Sequence, residues 1–337
     1  VIAVSPSVYW VEAGATGDGS SEDSPAGNIT YILTTYALQD GDVIKVKPGT
    51  YDTSTGEAFP IKIDVKGVTI ESTDGADVTV IDGKDTVWVP AVEIAADDVT
   101  FKGFTVRNFE ADETHDSAAV FVHGDGAKIL DNVIEYIGST TPEPYGMGID
   151  VQGEYAKNVE IRGNVVHDVG SIGIRVRDNW ASAPAVDDNI LIEGNIVYNT
   201  GNSGVLVTGY ARGVTIRGNE IYGSLEPTPY NLFVHYGASY VTIENNYIHD
   251  SYGNVVLAGC DHVIISSNTI EDAVPLPSDP SVKGKNIYIL NDYGGWTKDV
   301  NLLSTNVEII GNKILNGGYG VRIRNVGATD PGPMAST

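Results

Sequence analysis

The chain is poor in several things that other functional classes depend on. It holds one cysteine, Cys260, so no disulfide can close within it. That thiol follows Gly259 at the end of an apolar run and reads as a buried structural group. Basic side chains are scarce, 20 against 45 acidic ones, for a formal charge of −25. A phosphate backbone needs a basic stripe, so nucleic acid is excluded as a partner, and so is an anionic membrane surface. Acidity of this size fits calcium, a salty habitat or simple solubility. No apolar run is long enough to span a bilayer, and no direct membrane insertion is expected. A leader is not visible either, while the chain opens on Val1 and closes on the linker-like GATDPGPMAST. Both ends read as those of a mature or trimmed fragment.

What the chain has instead is glycine, 39 residues of it, and a repeat. Residues 204–222, GVLVTGYARGVTIRGNEIY, hold two runs of alternating apolar residues, then Gly218-Asn219, then a third run opened by Ile221. Period-two alternation marks strands, and Gly-Asn marks a tight corner where positive φ is tolerated. The phrase returns as GIDVQGEYAKNVEIRGNVVHD, NLFVHYGASYVTIENNYIHD and NVVLAGCDHVIISSNTIED, with corner asparagines at Asn132, Asn164, Asn195, Asn219, Asn246, Asn268 and Asn312. A period of roughly 22 to 32 residues with three inward-alternating strands describes a solenoid. Leucine-rich repeats share the period but need a leucine consensus and a helical segment that these units lack. Three strands per coil, stacked at about 4.8 Å, describe a parallel β-helix. The recurring asparagines are expected to bond to one another along the stack, as a stabilising column.

These units resemble those of the right-handed parallel β-helix proteins with the pectate-lyase-like fold, whose repeats read GI-x-V-x-G…NV-x-I-x-GN-x-I. The resemblance implies an all-β, right-handed, single-stranded solenoid of three sheets and about ten coils. It also implies an extracellular or cell-surface location and a polysaccharide partner. Because a solenoid grows by adding coils, one domain is expected: 1–60 as N-terminal cap module and first strands, 61–325 as β-helix, 326–337 as tail. The first 60 residues resemble the cap module of such proteins, and an open coil end needs one. Asn28 is placed to N-cap a short helix carrying Ile29, Leu33, Tyr36 and Ala37 across the opening. Gly17-Asp18-Gly19 lacks the spacing of an EF-hand loop and reads as a turn.

Alternation also gives the side chains that the GI-x-V-x-G strands turn outward. In order they are Glu93 and Ala95, Phe121 and His123, Asp150 and Gln152, Arg175 and Arg177, Leu206 and Thr208, Phe233 and His235, Val256 and Ala258, Tyr288 and Leu290, Arg322 and Arg324. Four of the eight arginines fall on this face. Long loops at 110–117, 139–145, 179–188, 224–230, 274–285 and 292–305 flank it, and the elaborated side of a solenoid is usually the binding side. In relatives that cleave acidic polysaccharides, this sheet forms the substrate groove.

Two functional classes follow. In one, the protein is a non-catalytic surface or structural component that binds polysaccharide, or further subunits of itself or a surface layer, through Glu93, Gln152, Phe233, His235 and Tyr288. In the other it is a polysaccharide lyase. Uronate β-elimination needs a neutralised carboxylate, a base for the α-proton and an acid for the leaving oxygen. His123, or an arginine if strongly perturbed, is the candidate base. Arg175 and Arg177 are the candidate neutralisers, as is a calcium ion on Asp112, Asp116 and Asp150. Glycoside hydrolysis fits less well, because it needs carboxylates about 5 to 9.5 Å apart, and Glu93 and Asp150 are two coils, roughly 10 Å, apart.

Other residues read as structural. Lys157 falls at a turn, and Lys283 and Lys285 fall in a loop, as solvated lysines. His167-Asp168 and His249-Asp250 occupy one repeat position with Tyr198, Tyr222 and Glu271, as repeat consensus. The apolar half of the outward face, Leu206, Phe233, Val256, Tyr288 and Leu290, needs cover from the 274–285 and 292–305 loops, a second subunit, or stacked sugar rings.

Overall fold

The computed structural model describes residues 5–112, 114, 118–138, 145–153, 155–178, 187–225, 229–290, 292–293 and 301–324. They fall into two compact units, Val1–Ser171 and Ile172–Thr337.

In the first unit the chain winds through three sheets in turn. One sheet carries Val8–Val11, Val43–Val46, Thr69–Ser72, Thr100–Lys102, Lys128–Leu130 and Glu160–Arg162. A second carries Gly49–Tyr51, Thr79–Trp88, Thr105–Glu110, Val133–Ile137 and Val165–Val169. The third, which bears the outward face under consideration, carries Ile61–Ile63, Val92–Ile94, Ala118–Val122 and Met147–Gln152. Every pairing is parallel and sets like on like: Ile44, Ile70, Phe101, Ile129 and Ile161 form one inward column. Ile63, Ile94, Val122 and Val151 form another. All nine are fully buried, and each such side chain contributes about 1.5 to 3 kcal/mol on leaving water.

The cap helix, Ile29–Thr35, closes this interior with Ile29 and Ile32. Asn28 caps it as expected, its side chain accepting from the Tyr31 N–H at 2.7 Å. A partner not foreseen completes the cap: the Glu57 carboxylate accepts from the N–H groups of Ile29 and Thr30 at 2.8 and 2.9 Å. The helix is shorter than the sequence suggested. It ends at Tyr36, whose backbone is extended, leaving Ala37 beyond it and exposed. Asp18 makes the expected turn, accepting from the backbone and hydroxyl of Ser20 at 3.0 and 2.7 Å.

The second unit repeats the pattern with longer strands. Its outward-bearing sheet runs Ile172–Arg177, Ser203–Thr208, Tyr230–His235, Gly253–Ala258, Lys285–Leu290 and Tyr319–Arg324. The other two sheets carry Ile190–Glu193 through Thr305–Ile310 and Ile196–Thr200 through Lys313–Ile314. The asparagine column is present at the corners. Each Nδ2 donates to the next Oδ1 from Asn195 to Asn219, Asn246, Asn268 and Asn312, at 2.9 to 3.0 Å. A second column, not anticipated, links Asn231, Asn254 and Asn286 at the corner that opens the outward-bearing sheet.

Among the described residues the outward-bearing sheet has four strands in the first unit and six in the second, one per coil, in keeping with the number of coils expected. No helix among the described residues is long and apolar enough to cross a membrane.

Candidate functional site

In the first unit, register puts Lys62, Glu93, Phe121 and Asp150 side by side on successive strands. Glu93 pairs with Lys62 at 3.5 Å, and Asp150 is wholly buried. At the next outward position, the His123 ring meets Phe121 edge to face at 4.3 Å between centroids. Beyond it the carbonyl of Gln152 accepts from the N–H groups of Tyr155 and Ala156 at 2.9 and 2.8 Å, turning the chain back. That turn brings Tyr155, 59% exposed, to 6.0 Å from His123. Phe121, His123 and Tyr155 thus make a continuous aromatic strip bordered by Glu93 and Gln152. Tyr155 was missed in the sequence because it lies outside the strand, where alternation assigns no direction. Among the described residues the buried Nε2 of His123 has no hydrogen-bond partner.

Asp112 accepts from the backbone and hydroxyl of Thr114, both at 2.8 Å, and Asp116 lies outside the described residues. Among the described residues no three His, Cys, Asp or Glu side chains converge as a metal site.

In the second unit the outward column reads Arg175, Leu206, Phe233, Val256, Tyr288, Arg322, with the register alternation gave. Arg175 and Arg177 are half-buried. The apolar members are covered. Phe233 stacks flat on His235 at 4.2 Å, and Leu206, Phe233, His235, Val256, Tyr288 and Leu290 are all buried. Phe233, His235 and Tyr288 therefore do not offer open ring faces.

Lys285 departs furthest from its expectation. It opens a strand rather than sitting in a loop, and it is buried, 1% exposed, against Tyr252 and Tyr288. Burial first, then repulsion from Arg322 and Arg324, pushes its amine down to about 7. Cys260 is buried as expected, and desolvation pushes its thiol up to about 12.

The repeat histidines are engaged by neighbours. His167 bonds Asp168 at 2.7 Å and Glu135 at 3.3 Å. His249 does the same with Asp250 and Glu220, and it stacks on Tyr222, which stacks on Tyr198.

Residues 185–329 match the model of the right-handed beta helix region. Three solved structures share the fold at low identity. The Azotobacter vinelandii mannuronan C-5 epimerase AlgE6 A-module is 16% identical with a TM-score of 0.59, over 93% of this chain and 90% of that one. Pectate lyase Pel9A is 14% identical with a TM-score of 0.58, over 99% and 82%. The GH136 lacto-N-biosidase from Eubacterium ramulus is 14% identical with a TM-score of 0.56, over 95% and 68%. No curated protein matches the sequence. Residues 12–226, well over half of the chain, match the model described as "Protein of unknown function (DUF1565)". The chain belongs to the DUF1565 family and folds as a right-handed parallel β-helix.

Proposed function

We propose that the protein binds a polysaccharide along the outward face of its first unit, without cleaving it, as an extracellular or cell-surface component. The observation that carries this reading is the strip Phe121, His123, Tyr155, with ring-to-ring spacings of 4.3 and 6.0 Å. Aromatic faces take up the apolar faces of sugar rings, and the flanking Glu93 and Gln152 supply hydrogen-bonding groups for hydroxyls. The fold is shared with proteins named for mannuronan, pectate and lacto-N-biose, which supports a glycan as the ligand class. A binding rather than a cleaving role is favoured because Asp150 has no solvent access and Glu93 is held by Lys62. Neither stands ready as an acid or a base.

A second reading, a polysaccharide lyase, rests on the unengaged Nε2 of His123. That nitrogen is buried, so the ring would have to turn toward the groove before it could accept the α-proton. Assembly with further subunits through the same face would appear as a concentration-dependent size in solution.

The test is binding to a panel of pectic, alginate and glycosaminoglycan-like polymers, with and without calcium, while unsaturated uronate is followed by ultraviolet absorbance. Binding without absorbance, weakened about tenfold by Tyr155→Ala, which is about 1.4 kcal/mol, is expected. Absorbance lost in His123→Ala would replace the binding reading with the lyase. Unaltered affinity in both Tyr155→Ala and Phe121→Ala would remove the strip from the account.

A further inference from the structure

An ammonium group taken out of water needs an anion beside it, or it gives up its proton. The basic residues of this acidic chain mostly have one. Arg107 reaches Asp82 at 3.0 Å, Arg212 reaches Asp187 at 2.6 Å, and Arg217 reaches Glu193 at 2.6 Å. Lys285 and Arg322 do not. Among the described residues no carboxylate lies within ion-pairing distance of either, although Lys285 is almost completely buried.

Their surroundings are aromatic instead. The Lys285 ammonium donates to the Tyr252 hydroxyl and lies 3.5 Å from the centroid of that ring and 5.2 Å from the centroid of Tyr288. The Arg322 guanidinium lies 5.7 Å from the same Tyr288 ring and 4.9 Å from Tyr319. Register explains the convergence, since Tyr288 neighbours Arg322 and Lys285 neighbours Tyr319 on the adjacent strand. Two cations therefore share one tyrosine in a chain with more than twice as many acidic as basic side chains. Like charges so placed repel, and a third cation, Arg324, adds to the repulsion felt by Lys285.

We propose that Lys285 and Arg322 form a binding site for a single oxyanion group, carboxylate or sulfate, with the partly exposed Tyr319 as its outer wall. The oxyanion supplies the counter-charge that the chain omits, and the planar guanidinium of Arg322 accepts it in a two-point fashion. Tyr319, 40% exposed, offers a ring face to whatever carries the anion. The site lies wholly in the second unit and stands or falls independently of glycan binding by the first.

The experiment is lysine-selective carbon-13 labelling of the full chain, with the Lys285 Cε signal assigned by its absence in Lys285→Met. Inorganic sulfate, acetate and glucuronate are the probes. A saturable shift of that signal is expected, with affinity at least tenfold higher at pH 6 than at pH 9, because the anion binds the protonated amine. In Arg322→Ala, shown to be folded by circular dichroism, affinity is expected to fall at least tenfold. Tighter binding of glucuronate than of acetate identifies a sugar-borne group. Equal binding of acetate and sulfate identifies a free ion, and either result supports the site. A Lys285 signal unmoved by all three probes up to tens of millimolar overturns it. So does a shift that Arg322→Ala leaves at full affinity.

Discussion

Replacing Asn219 by alanine removes one rung from the corner column, and the structure fixes what is left behind. The Asn219 Oδ1 accepts from the backbone N–H and the Nδ2 of Asn195 at 2.8 and 3.0 Å. Its own Nδ2 donates to the Ile192 carbonyl at 3.0 Å and to Asn246 Oδ1 at 2.9 Å. Alanine therefore takes this acceptor from two donors of Asn195 and one donor from the Ile192 carbonyl, at a corner where both asparagines are almost fully buried. At about 1 to 3 kcal/mol for each of the two Asn195 donors that lose this acceptor, a loss of about 2 to 6 kcal/mol is expected. Asn312, the last rung, makes the matching bonds to Asn268 and to the Ile265 carbonyl but, among the described residues, has no onward asparagine to donate to. It is only half-buried, so water replaces part of what alanine removes, and Asn312→Ala is expected to lose about 1 to 2 kcal/mol. A solenoid need not unfold in one step, so urea titration is paired with residue-resolved hydrogen exchange. The Asn195 amide is expected to exchange at least a hundredfold faster in Asn219→Ala. A loss in Asn219→Ala no greater than in Asn312→Ala would refute the reasoning, because Asn219 is both more deeply buried and bonded to a rung on either side.

Two further outcomes are expected. Lys285→Met removes a buried cation that lacks a carboxylate partner among the described residues, and is expected to stabilise the fold by about 1 to 4 kcal/mol at pH 6. The Lys285 amine is depressed to about 7 in the folded state. The unfolded chain therefore binds the extra proton between that pH and the ordinary lysine range, and wild-type stability rises with pH across this window. The methionine variant should accordingly lose its advantage towards pH 10; urea midpoints at the two pH values that showed no such trend would contradict the assignment. Cys260, its thiol raised to about 12 by burial, is expected to resist thiol reagents at pH 8 until urea is added, and prompt labelling of the folded protein would contradict its placement.

Much of the architecture was legible because it is periodic. Alternation placed Leu206, Phe233, Val256, Tyr288 and Arg322 in one column, and the Gly-Asn corners placed Asn195 through Asn312 in another, both as found. Non-periodic contacts were not legible. Glu57 reaches the cap helix from 28 residues away, which no local pattern encodes. The stretch before Lys285 has no alternation, so the residue read as part of a solvated loop. Asn231, Asn254 and Asn286 each precede an apolar residue at a strand start, where an asparagine reads as an ordinary outward polar position. Burial of Phe233, His235 and Tyr288 depends on what lies over the sheet, and strand periodicity does not specify it.

The corner column also acts as a ruler. Consecutive rungs lie 22, 24, 27 and 44 residues apart along the chain. The amide-to-amide step stays at 2.9 to 3.0 Å throughout. Circumference is thus fixed by the column and the inward residues, while the surplus length of a coil is paid out as loop. Segments can be lengthened or exchanged between rungs without altering the pitch. A protein built this way can acquire new surface chemistry one loop at a time, on a core that does not register the change.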